Sequence, residues 1–397
     1  MAISLGFRFL FVRYLIIGNG IAGATAAEEL VEQEPEADIT VVTDEDRPLY
    51  NRILLKSHTK GKLPLQAARV HTRDWYQERG IDLNLNTRIE EVMLGEKQAV
   101  STDGDFFGYD RLLVATGGSP RRLPQDDGYD NLHYMWDWDD AARIGERAGE
   151  AERAVVVGGG LLGIDLAVSF AEQGCDTKYL IRGDRWFRRG LESESAEIVH
   201  QALEDKGVEV MTETEVVELD SEGEHVKAVV TDGGERIEAD ELGVAIGQKP
   251  NSGFIDVEKN EKQQIRTDEC LRTSHPDVFA AGDQVEYKSP IFGRTSFGSW
   301  GHSEAMGRCA ARNMAGSERS FSYVNTYGVG HFDFAIESVG EPGASIDEVD
   351  AEDAVVCLHS EAGTLTGAAA VGTSIGWISE HLSEDKGLER ARERVGS

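Results

Sequence analysis

The chain has 397 residues, 40% of them hydrophobic, and carries 72 Asp plus Glu against 40 Lys plus Arg, a net charge of -32. Its length points to two or three domains with sizeable cores. Its acidity excludes nucleic acid and anionic membranes as partners. The acid is spread along the chain, which reads as a solvated, salt-adapted surface of the kind found in salt-loving organisms.

The first dozen residues, MAISLGFRFLFV, form an apolar run. It is shorter than the ~20 residues a spanning helix needs. It reads as an extra strand or an upstream mis-assigned start, and the protein as cytoplasmic.

A second apolar run, Tyr14–Ile17, stops at Gly18, Gly20 and Gly23, which spell G-x-G-x-x-G before a small-residue helix pattern over 21–33. Gly18 permits a tight strand-to-helix turn. Gly20 lets backbone approach a pyrophosphate, and Gly23 with Ala27 lets the helix pack against a sheet. The helix N-terminus supplies N–H groups and partial positive charge to phosphates. The β-rich run ADITVVT completes a βαβ unit. Asp44 follows it, as a ribose acid or as a solvated turn residue in DED.

The stretch 47–58, RPLYNRILLKSH, is helix-like. Arg52 and Lys56 lie one turn apart on it and make part of one face cationic, whether beside a flavin or simply in solvent. A buried strand over 110–118 ends in Ala115, Thr116 and Gly117.

A second strand, turn and helix repeats the fingerprint at Gly158, Gly160 and Gly163. Two such units about 140 residues apart are far more specific than one and read as two nucleotide-binding domains. Further strands are expected at 178–181, 208–211, 226–231 and 243–246, the last running into Gly247. The strand of DVFAAGD ends in Gly282 and Asp283, where a carboxylate can grip a polyol hydroxyl. A helix follows at 302–314, then strands at 355–359 and 364–371, a helical stretch at 374–382 and a charged, frayed helix or tail over 385–397.

The motifs GNGIAG, ATGGSPR, GGGLLG, IGQKPN and FAAGD stand in the order of the pyridine-nucleotide–disulfide oxidoreductase superfamily, which the chain resembles over most of its length. RPLYNRILL and WGHSEAMGRCAARNMAG are similar to the ferredoxin/rubredoxin-reductase and nitrite-reductase large-subunit branch. The resemblance implies an α/β fold with two Rossmann-like, doubly wound domains and a C-terminal α+β interface domain. FAD would be held by a discontinuous domain (1–118 and 248–318), NAD(P) by an inserted domain (119–247), and 319–397 would form the interface domain. It assigns Asp44 to the adenosine ribose, Arg52 to the flavin neighbourhood, Asp283 to the ribityl chain and Asp165 to the nicotinamide neighbourhood. Leu161 stands where many members carry an aromatic gate.

Disulfide reductases of the superfamily carry reactive cysteine after the second strand, whereas residues 44–62 contain none. Cys175, Cys270, Cys309 and Cys357 form no CxxC, and Cys175 reads as apolar packing. Electrons must then leave the flavin directly. Arg182 and Arg188, with no acid ending the second strand of the inserted domain, suit a 2′-phosphate and favour NADPH over NADH, although Asp184 sits between them.

The expected reaction is hydride transfer from NAD(P)H to FAD, with Lys56 or Arg52 offsetting flavin charge, then delivery to a redox acceptor protein or small oxidant. The acceptor is a ferredoxin, rubredoxin or nitrite-reductase-type partner. Alternatives are an NAD(P)H oxidase or quinone reductase, a redox-sensing flavoprotein with little turnover, and, disfavoured, a coenzyme A-disulfide reductase. The protein is expected as a monomer or homodimer. His302 and His331 read either as residues near the active face or, more commonly for histidine, as core or surface residues, and no metal is expected.

Overall fold

The computed structural model describes residues 11–351, 354–384 and 386–396. Most of the apolar N-terminal run therefore lies outside the described residues. The chain divides into two units, each assembled from three separated segments.

The first unit comprises the described residues of Met1–Tyr50 with Arg69–Gly118 and Pro250–Tyr323. Its centre is a five-stranded sheet in the order Val278–Ala280, Arg111–Val114, Arg13–Ile17, Asp38–Val42, Ile81–Asn84. Every neighbouring pair is parallel, with Ile16 opposite both Val41 and Leu113. A parallel sheet covered on both faces demands continuous apolar strands. Tyr14, Leu15, Ile16 and Ile17 are accordingly all buried. Helix Ile21–Gln33 packs beside helix Trp300–Met314 so closely that a Cβ on Gly307 would lie 2.1 Å from the Ala22 carbonyl oxygen. Glu29 is buried between these helices and takes Arg312 Nε at 2.7 Å and Arg308 Nη1 at 3.3 Å.

The second unit comprises the described residues of Asn51–Ala68, Ser119–Lys249 and Val324–Ser397. Its parallel sheet runs Val208–Met211, Asp176–Leu180, Arg153–Val157, Glu241–Val244, Leu132–His133. A separate antiparallel sheet has the order Thr326–Val329, Ile336–Gly340, Thr364–Val371, Ala354–Glu361, Ser345–Ala351. One apolar cluster joins the two, running from Val156 and Phe170 to Cys357 and Val371. Polar ties reinforce it: Ser195 N donates to Glu348 Oε1 at 2.9 Å, and His359 Nε2 lies 2.8 Å from the Gly190 carbonyl oxygen.

Two elements differ from the sequence reading. The helix expected over 47–58 begins at Arg52 and runs to Thr59, because the Asn51 side chain accepts from Ile53 N and caps it there. The stretch 374–382 holds only a short 3-10 helix, Gly376–His381. The charged stretch over 385–397, expected as a frayed helix or tail, holds a helix, Gly387–Val395, whose Gly387 and Ala391 are buried.

Candidate functional site

In the first unit the strand Arg13–Ile17 delivers the chain into Gly18, whose φ of +108° only glycine adopts without strain. A Cβ there would stand 2.3 Å from the Ala115 carbonyl oxygen, and one on Gly23 would stand 1.9 Å from the Gly18 carbonyl oxygen. Gly18, Gly23 and Ala115 are thus brought together as a closed turn. Gly20 differs: nothing lies within 4 Å of a Cβ built on it. It is the N-cap of helix Ile21–Gln33 and has no side chain to satisfy the first N–H groups. Those groups face space a phosphate can fill.

The same rim carries a second signal. Asn19 is buried; its Oδ1 accepts from Tyr76 Oη at 2.8 Å, while its Nδ2 has no partner among the described residues. A buried amide donor left unmatched calls for an acceptor from a ligand. Downstream segments close this turn region. Thr116 Oγ1 donates to the Asn251 carbonyl at 2.5 Å, and Gly117 N donates to Gln284 Oε1 at 2.9 Å. Ala281 N donates to the Val114 carbonyl at 3.0 Å, ahead of Gly282, and Asp283 Oδ1 accepts from Ser303 Oγ at 3.1 Å. Asp44 is exposed and lies 3.5 Å from Arg88 Nη1. The open glycine, the unmatched Asn19 amide and the carboxylates suit the diphosphate and ribose of FAD.

The second unit repeats the geometry. Gly158 has φ +127°, a Cβ on it would meet the Ala245 carbonyl oxygen at 2.1 Å, and one on Gly163 would meet the Gly158 carbonyl oxygen at 1.9 Å. Gly160, like Gly20, is open. Tyr179 Oη ties the turn by donating to the Gly158 carbonyl at 2.7 Å. Gly247, φ +99°, follows the strand Glu241–Val244 of the same sheet and lies near Arg121.

Beyond the strand Asp176–Leu180, Arg182 and Arg188 are exposed and have no carboxylate within ion-pair distance among the described residues. Arg185 takes up Asp184 at 2.6 Å and Glu192 at 3.0 Å. Asp184 is therefore already engaged, and two unpaired guanidinium groups flank it.

Lys56 and Asp165 come together: Lys56 Nζ is 3.5 Å from Asp165 Oδ1. Two residues missed as site members complete the group. His331 Nε2 lies 2.6 Å from the same oxygen, and Lys60 Nζ lies 2.7 Å from His331 Nδ1. Asp165, His331 and Lys60 are all buried. Burial pushes the Lys60 ammonium down to about 8, with Asp165 and Glu172 pulling the other way. Burial also lowers His331, against its hydrogen bond to Asp165. Thr59 and Ser169 link the same two helices at 2.9 Å, and Ser169 Oγ donates to the Asp165 carbonyl at 2.7 Å. Lys60 could have been found from sequence, since it stands one turn beyond Lys56 on the cationic face. His331 carries no local motif and is offered by the sequence only as one of two histidines near the active face.

Arg52 belongs to this unit, where its Nη1 donates to the Trp136 carbonyl at 2.6 Å. His302 is a core histidine ringed by Tyr287, Phe297, Phe321 and Tyr323, and burial pushes it down to about 4. Burial raises all four thiols, Cys175 and Cys309 to about 11. Among the described residues no group of three or more His, Cys, Asp or Glu is placed to hold a metal ion. No helix among them is long and apolar enough to cross a membrane.

The family model described as pyridine nucleotide-disulphide oxidoreductase matches residues 12–307. The chain is 32% identical over 328 residues to the NAD(P)H coenzyme A polysulfide/persulfide reductase of Pyrococcus horikoshii, covering 78% of this chain and 71% of that protein. It is 26% identical over 366 residues to the 3-phenylpropionate/cinnamic acid dioxygenase ferredoxin–NAD(+) reductase component of Photorhabdus laumondii, covering 90% and 92%. The covalent putidaredoxin reductase–putidaredoxin complex superposes with a TM-score of 0.85 at 22% identity, over 97% of this chain and 93% of that one, and so shares the fold. A longer relative, the assimilatory nitrate reductase electron transfer subunit of Bacillus subtilis, is 28% identical over 71% of this chain, which spans only 37% of that protein. The chain belongs to the pyridine nucleotide-disulphide oxidoreductase family, whose members bind FAD and NAD(P)H, and is an NAD(P)H-dependent flavoprotein oxidoreductase.

Proposed function

We propose that this flavoprotein reductase serves a ferredoxin-, rubredoxin- or nitrite-reductase-type acceptor and uses NADPH in preference to NADH. When bound, NAD(P)H supplies a hydride to FAD, which passes electrons on to the acceptor. The observation that carries the reading is the pair of glycine cradles with no cysteine in the intervening 44–62 stretch, where a thiol relay would stand.

Each protein group has a role in binding or charge placement. Gly18, Gly20, Gly23, Ala115, Thr116, Gly117, Gly282, Asp44 and Asp283 hold the FAD diphosphate and ribose. Gly158, Gly160, Gly163 and Gly247 hold the nicotinamide dinucleotide. Arg182 and Arg188 take the 2′-phosphate through charge-assisted hydrogen bonds, since no carboxylate among the described residues competes for them. Lys56 and Asp165 set the charge at the reacting end. Lys56 is the cation that offsets developing negative charge, and Asp165 holds it in place. Arg52 supports this helix through the Trp136 carbonyl.

The net charge of -32 specifically favours a second reading. An acidic carrier protein is repelled by such a surface unless salt screens it, whereas oxygen or a quinone is indifferent to charge. The first reading therefore goes with a cytoplasmic, salt-adapted protein, monomeric or homodimeric, working in high salt. The test is to purify the protein in high salt, record its spectrum, and mix it with NADPH or NADH before adding carrier, quinone or oxygen. Flavin peaks lost faster with NADPH and restored fastest by a carrier support the proposal. A colourless protein that FAD does not reconstitute, or fastest reoxidation by oxygen, overturns it.

A further inference from the structure

Lys60, His331 and Asp165 form a buried chain whose hydrogen pattern is fixed while Lys60 is charged and Asp165 ionised. An ammonium group has donors and no lone pair, so charged Lys60 must donate to His331 Nδ1. That forces the neutral ring to carry its hydrogen on Nε2, which donates to Asp165 Oδ1; the separations are 2.7 and 2.6 Å. If Lys60 loses a proton, its amine still has hydrogens to donate to Nδ1, and both bonds persist. If the ring gains a proton while Lys60 stays charged, two donors face each other and the chain breaks. The chain therefore tolerates one proton more or less on Lys60 without rearranging, while His331 stays neutral.

We propose that His331 is a positioning and relay residue which pins the Asp165 carboxylate and connects it to Lys60 as an internal proton source. The inference rests on the reading of Asp165 and Lys56 as the charged groups at the reacting end. The relay balances as two proton transfers among four atoms. A Lys60 Nζ–H bond breaks as a His331 Nδ1–H bond forms, and the His331 Nε2–H bond breaks as an Asp165 Oδ1–H bond forms. Lys60 ends as an amine, Asp165 as a carboxylic acid and the ring as the other neutral tautomer; the net charge is unchanged. Neutralising Asp165 in this way leaves Lys56, 3.5 Å from the same oxygen, as an uncompensated cation.

The surroundings weaken the hold of Lys60 on its proton. Burial disfavours the ammonium of Lys60, and Lys56 and Lys62 repel it, while Asp165 and Glu172 hold it charged. Lys62 is itself paired with Glu172 at 2.7 Å. Tyr179 and Tyr327 are the other titratable groups near Asp165, and both are raised by burial and by that carboxylate, so they stay protonated. Lys60 thus loses its proton around pH 8, within two units of neutrality.

The experiment measures the midpoint potential of the bound flavin from pH 6 to pH 10 in the wild-type holoenzyme and in His331→Gln, Lys60→Met and Asp165→Asn. Glutamine can accept from Lys60 and donate to Asp165 but cannot relay a proton. The wild-type plot should bend near pH 8, and the bend should vanish in both His331→Gln and Lys60→Met. Nitrogen-15 spectra of the His331 ring should show an unprotonated Nδ1 at pH 7 that loses its hydrogen-bond shift in Lys60→Met. An unchanged bend in both variants, or a ring spectrum unaffected by Lys60→Met, overturns the relay. If those results come with flavin reduction slowed by Asp165→Asn, only the relay fails. If Asp165→Asn leaves reduction by NADPH unchanged, the reading of Asp165 itself fails.

Discussion

Glu29 and Arg312 meet at 2.7 Å, with the carboxylate fully buried between helices Ile21–Gln33 and Trp300–Met314. Burial alone would raise the Glu29 carboxyl, but Arg312, Gln33 and Arg308 together hold it below its ordinary value. A carboxyl depressed on folding adds stability above its unfolded value near 4.5, and that stability is lost as pH falls through the lower folded value. Denaturant titrations at pH 7 and pH 3 should therefore show a loss that shrinks in Glu29→Gln. Arg312→Met should cost about 2 kcal/mol, since Arg308 remains as a partner. An unfolding midpoint for Arg312→Met that matches wild type would refute the role of this pair.

The glycines of each cradle divide into two kinds, and alanine separates them. Gly18→Ala and Gly23→Ala press a methyl onto backbone at 2.3 and 1.9 Å and should lower the melting temperature by several degrees. Gly20→Ala meets no protein atom within 4 Å and should melt almost as wild type once flavin is removed. It should nevertheless retain FAD at least tenfold more weakly, because its methyl occupies the space left for the diphosphate. Apoprotein melting beside flavin titration reads both effects.

Removing the unpaired arginines tests the choice of nicotinamide. Arg182→Ala and Arg188→Ala should each raise the KM for NADPH about tenfold, the order of one charge-assisted contact, with NADH unaffected. Equal effects on both cofactors would place these residues outside the 2′-phosphate site.

Direct electron exit predicts indifference to thiol chemistry. Burial raises every cysteine, so little thiolate exists at pH 7. A variant with all four replaced by Ser or Ala should keep flavin reduction within about twofold of wild type, a small change on a barrier scale where tenfold is 1.36 kcal/mol. Prolonged iodoacetamide treatment at pH 7 should likewise leave reduction intact. Loss of reoxidation alone in that variant would reinstate a thiol relay.

The two parallel sheets were legible because strand, glycine turn and helix are adjacent in sequence and each obeys a local rule. Val208–Met211, Val278–Ala280 and Thr364–Val371 stand where periodicity put them. Periodicity carries no information on how far a helix extends past its cap, so Asn51 moved one boundary by five residues. The strands Ile89–Met93, Gln98–Ser101 and Phe106–Gly108 are short, half-exposed and antiparallel, and their weak alternation escaped notice. The site shows the same division. Asp165 follows its glycines by two residues, whereas His331 reaches it across 166 positions. Only folding makes those two neighbours.

The three-segment construction of the first unit has a consequence for synthesis. Its central strand ends at Ile17, yet the edge strand of the same sheet ends at Ala280, and Gly117 waits for Gln284. At ribosomal rates of ~5–20 residues per second, roughly 10–50 seconds separate the emergence of these partners. Throughout that interval the apolar strand 13–17 stands without its full sheet while the whole inserted segment is made. The strand 13–17 is thus exposed to chaperones and proteases longer than its downstream sheet partners, and flavin can be captured only after residue 284 has emerged.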